Sequence, residues 1–194
     1  MPSRWAKPGA CRLGPGAWRA WLRAWAPAAV LLVAVGLAGC SGHARPGAPA
    51  PSFALMTANG RAITLASFHG QVLVVNFWAS WCAPCVAETP SLNALTEQLR
   101  GQPIQILAVS IYTDAHRYRQ FLSAYHVRYL TARDATPALA HRYGTVKIPE
   151  SYIVNSRGLV VRKIVGAINW DSPSMVRYLK DLAAGRIPGS PAAG

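Results

Sequence analysis

The stretch Gln71-Val72-Leu73-Val74-Val75-Asn76-Phe77-Trp78 constrains the fold of this 194-residue chain more than any other. It is an almost continuous apolar run, rich in β-branched residues. Such a run reads as a strand buried on both faces, and it demands a covering layer on each side. Trp81-Cys82-Ala83-Pro84-Cys85 follows at once. From Cys82 to Arg100 the apolar period becomes helical, with Leu92, Leu95 and Leu99 on one stripe. Pro90 falls inside that helix, where it is expected to remove one hydrogen bond and kink it.

Around this unit the chain alternates strand and helix. Phe53–Met56 and Arg61–Leu65 flank Ala58-Asn59-Gly60, a hairpin signal. Ile104–Ser110 reads as a second buried strand and Ala115–Tyr125 as a helix facing inward through Tyr118, Phe121, Leu122 and Tyr125. A short strand over Val127–Thr131 and a short helix over Pro137–Tyr143 follow. Ser151–Val154 and Leu159–Val165 form a hairpin around Asn155-Ser156-Arg157-Gly158. Ser172-Pro173 supplies an N-cap and first helical position for a last helix, with Met175, Val176, Leu179 and Leu182 inward. The pattern predicts an α/β sandwich.

The chemistry lies at the strand-to-helix junction. A helix N-terminus offers unpaired N–H groups and the positive end of a dipole, so a thiolate on Cys82 is stabilised there. The two-residue spacing lets Cys85 reach the sulfur of Cys82. Cys82 can attack a substrate disulfide and Cys85 can resolve the mixed disulfide. Pro84 stiffens the turn. Zinc would need four ligands, yet no second CxxC or HxxxH occurs.

Val74 to Cys85, with the hairpin ending Leu65-Ala66-Ser67-Phe68-His69-Gly70, Glu88 and Pro90 after the cysteines, and Lys147-Ile148-Pro149-Glu150-Ser151-Tyr152-Ile153-Val154-Asn155, resembles the thioredoxin superfamily. The likeness is to its membrane-tethered TlpA/ResA/CcmG branch and runs from about Phe53 to Leu182. It implies a thioredoxin fold, a central mixed sheet flanked by helices, with an N-terminal β-hairpin and an insert of roughly 25 residues over about Ala115–Leu139. It also implies that Pro149 is cis and lies against the active cysteine. The Ile148 backbone then pairs with a substrate strand, and Trp81, Ala83 and Pro84 contact substrate. Glu88 and Glu150 are the acids expected to tune thiol proton transfer, because Asn76 stands where cytoplasmic thioredoxins carry a buried Asp and cannot exchange a proton. Trp78 and Trp81 are expected to shield the site. No cofactor is implied beyond the Cys82–Cys85 redox pair.

The chain is strongly basic, with 20 Lys and Arg against 7 Asp and Glu. Five of the cations (Arg4, Lys7, Arg12, Arg19 and Arg23) precede an apolar run over Ala26–Ala38, too short to span a bilayer comfortably and suited to a signal-peptide core. The run ends in Leu37-Ala38-Gly39-Cys40, which resembles the bacterial lipobox and makes Cys40 the candidate lipidated residue. Residues 1–39 are then a signal, 40–51 a lipidated Cys and flexible tether, 52–184 the domain and 185–194 a loose tail. Removing the signal leaves 15 cations and 7 acids, a net of +8. These charges are scattered singly apart from Arg162-Lys163, so a nucleic-acid partner is not expected.

The reading is an envelope-facing oxidoreductase, tethered to the membrane by lipid. It is expected to reduce protein disulfides, with electrons from a membrane thiol-shuttling donor, and the likeness of Pro149-Glu150 to CcmG-type proteins implies apocytochrome c as the substrate. Three alternatives stay open: a disulfide-forming oxidase, a peroxiredoxin-like peroxidase and a metallochaperone on the same scaffold. Ala79 in place of the Thr of a Thr-x-x-Cys setting counts against the peroxidase. If Cys40 carries lipid, cells fed a labelled fatty acid will incorporate it into the wild-type chain. Cys40→Ala will abolish the label and move the protein out of the membrane fraction.

Overall fold

The computed structural model describes residues 43–112 and 114–186. The expected signal, Cys11, Cys40 and the tail beyond Arg186 lie outside the described residues. Among these residues, no helix is long and apolar enough to cross a membrane.

Strand β3 (Val72–Trp78) is buried at every position, as its composition demands. It sits mid-sheet in the order β5-β4-β3-β6-β7, with β4 spanning Ile104–Ser110, β5 Leu130–Arg133, β6 Glu150–Val154 and β7 Val160–Val165. β3 runs parallel to β4, and β4 parallel to β5; β6 is antiparallel to both β3 and β7. Strands β1 (Ala54–Met56) and β2 (Ala62–Thr64) form the separate N-terminal hairpin. Together with helices on both faces this is the mixed α/β thioredoxin-like fold.

Alternate side chains of β3 enter two cores. Val72, Val74 and Trp78 join Leu92 and Leu95 of α1 (Ala83–Gln98), Tyr118 and Phe121 of α2 (Ala115–Ala124), and Leu179 and Leu182 of α4 (Pro173–Ala183). Leu73, Val75 and Phe77 join Leu139, Ala140 and Tyr143 of α3 (Ala138–Tyr143), with Phe53, Ile63 and Phe68 from the hairpin region. The helix periodicities were legible for this reason: each apolar stripe has a sheet face to cover. Helix α1 continues through Pro90, which is exposed.

Two expectations shift. The short strand begins at Leu130 rather than Val127. Residues 126 and 127 instead fold back on the end of α2, with His126 at positive φ and the Val127 N–H donating to the Leu122 carbonyl. Asn93 then holds this turn, accepting from the Arg128 N–H at 2.9 Å. The second correction concerns the tether over 40–51. From His43 onward the described part is seated on the domain. Gly47 N–H donates to the Val160 carbonyl, Val160 N–H to Ala48, and Ala50 N–H to Gly158. Ala44 and Ala50 are buried. Small Ala and Gly residues let this segment approach the edge of β7 closely enough for backbone pairing, so the domain begins ahead of Ser52.

Leu95 is fully buried between α1 and the sheet. Leu95→Ala is expected to cost about 2–5 kcal/mol, read as a lower urea midpoint at unchanged m-value.

Candidate functional site

The site is built where β3 ends. Its last residue, Trp78, gives way to a short turn in which the Cys82 N–H donates to the Ala79 carbonyl, and α1 begins at Ala83. Cys82 is the N-cap, and its Sγ accepts from the Cys85 N–H at 3.3 Å. The two cysteines form a disulfide with Cα atoms 5.2 Å apart, and both are buried. Ala83 and Pro84 between them are exposed.

The Ile148–Pro149 peptide bond is cis. Pro149 is buried and directly precedes Glu150, which pairs with Phe77 near the end of β3. Pro149 therefore lies at the end of the sheet from which the disulfide turn departs. Ile148 is half-buried and packs against both cores.

Glu88, one helical turn beyond Cys85, is buried on the disulfide's face of the sheet. Its carboxylate accepts from Asn76 Nδ2 at 2.8 Å and from Trp170 Nε1 at 3.1 Å. Asn76 Nδ2 also donates to Ser151 Oγ at 3.0 Å, so both donors of the one polar side chain of β3 are used. Burial raises the Glu88 pKa above the ordinary 4.5, and the bonds from Asn76, Trp170 and the Ile168 backbone only partly offset that rise.

Glu150 departs from the expectation that both acids flank the thiols. Its fully buried carboxylate accepts from the Val146 N–H at 3.2 Å, lies 2.9 Å from the Tyr152 hydroxyl and pairs with Lys163. Tyr152 belongs to the core on the opposite face from Cys82 and Cys85. The strand alternation that puts Ser151 beside Asn76 puts Glu150 on the other side of the sheet. The expected shielding by two tryptophans also divides. Trp78 is buried, its ring 4.4 Å from Phe121, whereas Trp81 is 62 % exposed beside the disulfide.

Trp170 and Lys163 were not foreseen as site residues. Trp170 lies 82 positions from its carboxylate partner in a loop, and nothing in its local sequence marks it. Lys163 was visible only as half of a basic pair.

A model described as Redoxin matches residues 45–179, well over half the chain. The chain belongs to the Redoxin family. It is 28 % identical over 136 residues to the thiol-disulfide oxidoreductase ResA of Bacillus thuringiensis subsp. konkukian, covering 70 % of this chain and 78 % of the relative. Against ResA of Bacillus subtilis the identity is 27 % over 144 residues, covering 74 % and 79 %. Among solved structures, a thiol:disulfide interchange protein of the thioredoxin family from Chlorobium tepidum TLS superposes with a TM-score of 0.60 at 26 % identity. That match covers 71 % of this chain and 99 % of the other. A second Chlorobium tepidum protein, assigned to DsbE, gives 0.64 at 26 % identity, covering 74 % and 98 %. With the Cys82–Cys85 pair in place, the chain is a thiol–disulfide oxidoreductase of this thioredoxin-superfamily branch.

The raised pKa of Glu88 has a definite consequence for stability. Between the unfolded value near 4.5 and the higher folded value, the native state keeps a proton that the unfolded chain releases. The contribution of Glu88 to stability is therefore fully present below the unfolded value and is lost as pH rises through that window. Urea unfolding at a series of pH values is expected to show the wild type losing stability relative to Glu88→Gln as pH rises through that window.

Proposed function

We propose that the protein is an envelope-facing reductase of protein disulfides, held at the membrane by lipid on Cys40, with apocytochrome c as its substrate. The observation that supports the exchange chemistry is the Cys82–Cys85 disulfide at the start of α1, at the same end of the sheet as the cis Ile148–Pro149 bond. The cytochrome assignment rests on likeness of Pro149-Glu150 to the CcmG-type branch, and the location rests on the lipobox-like Leu37–Cys40.

In the reduced protein the Cys82 thiolate, favoured by the helix N-terminus, attacks one sulfur of the substrate disulfide. The Cys82–substrate bond forms, the substrate S–S bond breaks, and the departing substrate thiolate takes a proton. Cys85 gives up its proton and attacks Cys82 Sγ. The second substrate thiol leaves, and the Cys82–Cys85 disulfide remains. Two electrons have then passed to the substrate. Glu88 is the group we assign to accept the Cys85 proton, since burial holds its pKa above that of an ordinary carboxylate. Ile148 and Pro149 align the substrate backbone, while Trp81, Ala83 and Pro84 meet it on the exposed side. A dithiol donor in the membrane restores the reduced pair, and the pair itself is the only redox group required.

The equilibrium potential of the pair in a thiol buffer tests the direction. A value near about −270 mV is expected for a reductant, and one near about −120 mV would make the protein a disulfide donor instead. Cys85→Ala, which cannot resolve, is expected to trap the substrate on Cys82 as a mixed disulfide visible on a non-reducing gel.

A further inference from the structure

The loop from Gly144 to Pro149 carries the cis bond; Pro149 is buried and Ile148 packs against both cores, but the stretch ahead of them is loosely packed. Val146 is 92 % exposed, Lys147 is exposed, and Thr145 and Ile148 are only partly covered. Polar ties hold that stretch in place, and one side chain from β7 reaches both ends of the loop. Lys163 Nζ donates to the Gly144 carbonyl at 3.3 Å, where the loop leaves α3, and pairs with the Glu150 carboxylate, where the loop enters β6. Glu150 passes the restraint inward, accepting from the Val146 N–H. The Lys163 ammonium also sits 5.2 Å over the Tyr152 ring. A second tie comes from β7 at Gly166, whose N–H donates to the Pro149 carbonyl at 2.9 Å.

We propose that Lys163 is a positioning residue for thiol–disulfide exchange, fastening both ends of the cis-proline loop so that protein substrates meet it in a fixed place. The inference rests on the redox reading above. It differs from a general stabilising role in what it affects. A protein substrate has to lay its backbone along this loop, whereas a small aromatic disulfide reacts at Cys82 without it. Misplacement of the loop then weakens protein-substrate binding while the chemistry at Cys82 is left intact.

The full-length reduced chain in detergent would be assayed with insulin as protein disulfide and with dithiobis(nitrobenzoate) as small disulfide. Lys163→Met is expected to lower kcat/KM for insulin by about tenfold, mainly through KM, with the small disulfide reduced at the wild-type rate. Lys163→Arg, which keeps the charge and the donors, is expected to recover most of the loss. Arg162→Met is the control for charge alone. It is the neighbouring cation, but it lies over Tyr178 on the other face and is expected to leave both rates unchanged. Because Lys163→Met leaves a buried carboxylate without its cation, the Lys163→Met/Glu150→Gln pair is also made. It removes both charges and is expected to show the same selective loss. Equal losses on both substrates, no loss on either, or a matching loss in Arg162→Met would overturn the proposal. A wild-type chain that reduces neither substrate would overturn the redox reading itself.

Discussion

The burial of β3 on both faces is the constraint on which the rest depends. A strand with no exposed position needs neighbours on both edges and apolar layers above and below. Its alternate side chains therefore divide the domain into two cores, one closed by α1, α2 and α4 and the other by α3 and the hairpin region. The same strand fixes the site, because α1 starts only a few residues after Trp78. The disulfide is thus held between a rigid strand and the first turn of a long helix.

That division also separates the two carboxylates. Glu88 and Glu150 are both buried in one small domain, yet the sheet lies between them. Glu88 is satisfied by neutral donors, the amide of Asn76 and the indole of Trp170, so it can hold or lose a proton with moderate penalty. Glu150 is satisfied by a lysine, a backbone N–H and a tyrosine, partners through which its carboxylate organises a loop. Similar residues in similar burial acquire different work from the charge of their partners.

Most of the framework was legible in the sequence because it depends on local pattern. The period change at Trp78–Cys82, the Asn59-Gly60 turn and the Ser172 cap are written in consecutive residues. The face on which Glu150 points was legible in principle from strand alternation, but only once its register against Phe77 was known. Trp170 and Lys163 could not be found this way. Their roles arise from contacts made across long stretches of chain, and a lone Trp in a loop or a Lys on an edge strand has no local signature. The start of the domain was misjudged for a related reason: Gly, Pro and Ala read as a tether by composition, whereas here their small size permits close backbone pairing.

The seated segment from His43 to Ala50 has a consequence for how the molecule can be handled. β7 is the last strand of the sheet, and an uncovered edge invites pairing with other chains. Backbone bonds from Gly47, Ala48 and Ala50 occupy the Gly158–Val160 part of that edge. His43 also rests against Gly144, where any side chain would collide with its ring. A shortened chain begun at Ser52 would lose this cover, uncovering a strand edge and loosening the root of the cis-proline loop in one cut. A soluble version of the protein should therefore keep the residues that composition alone would discard.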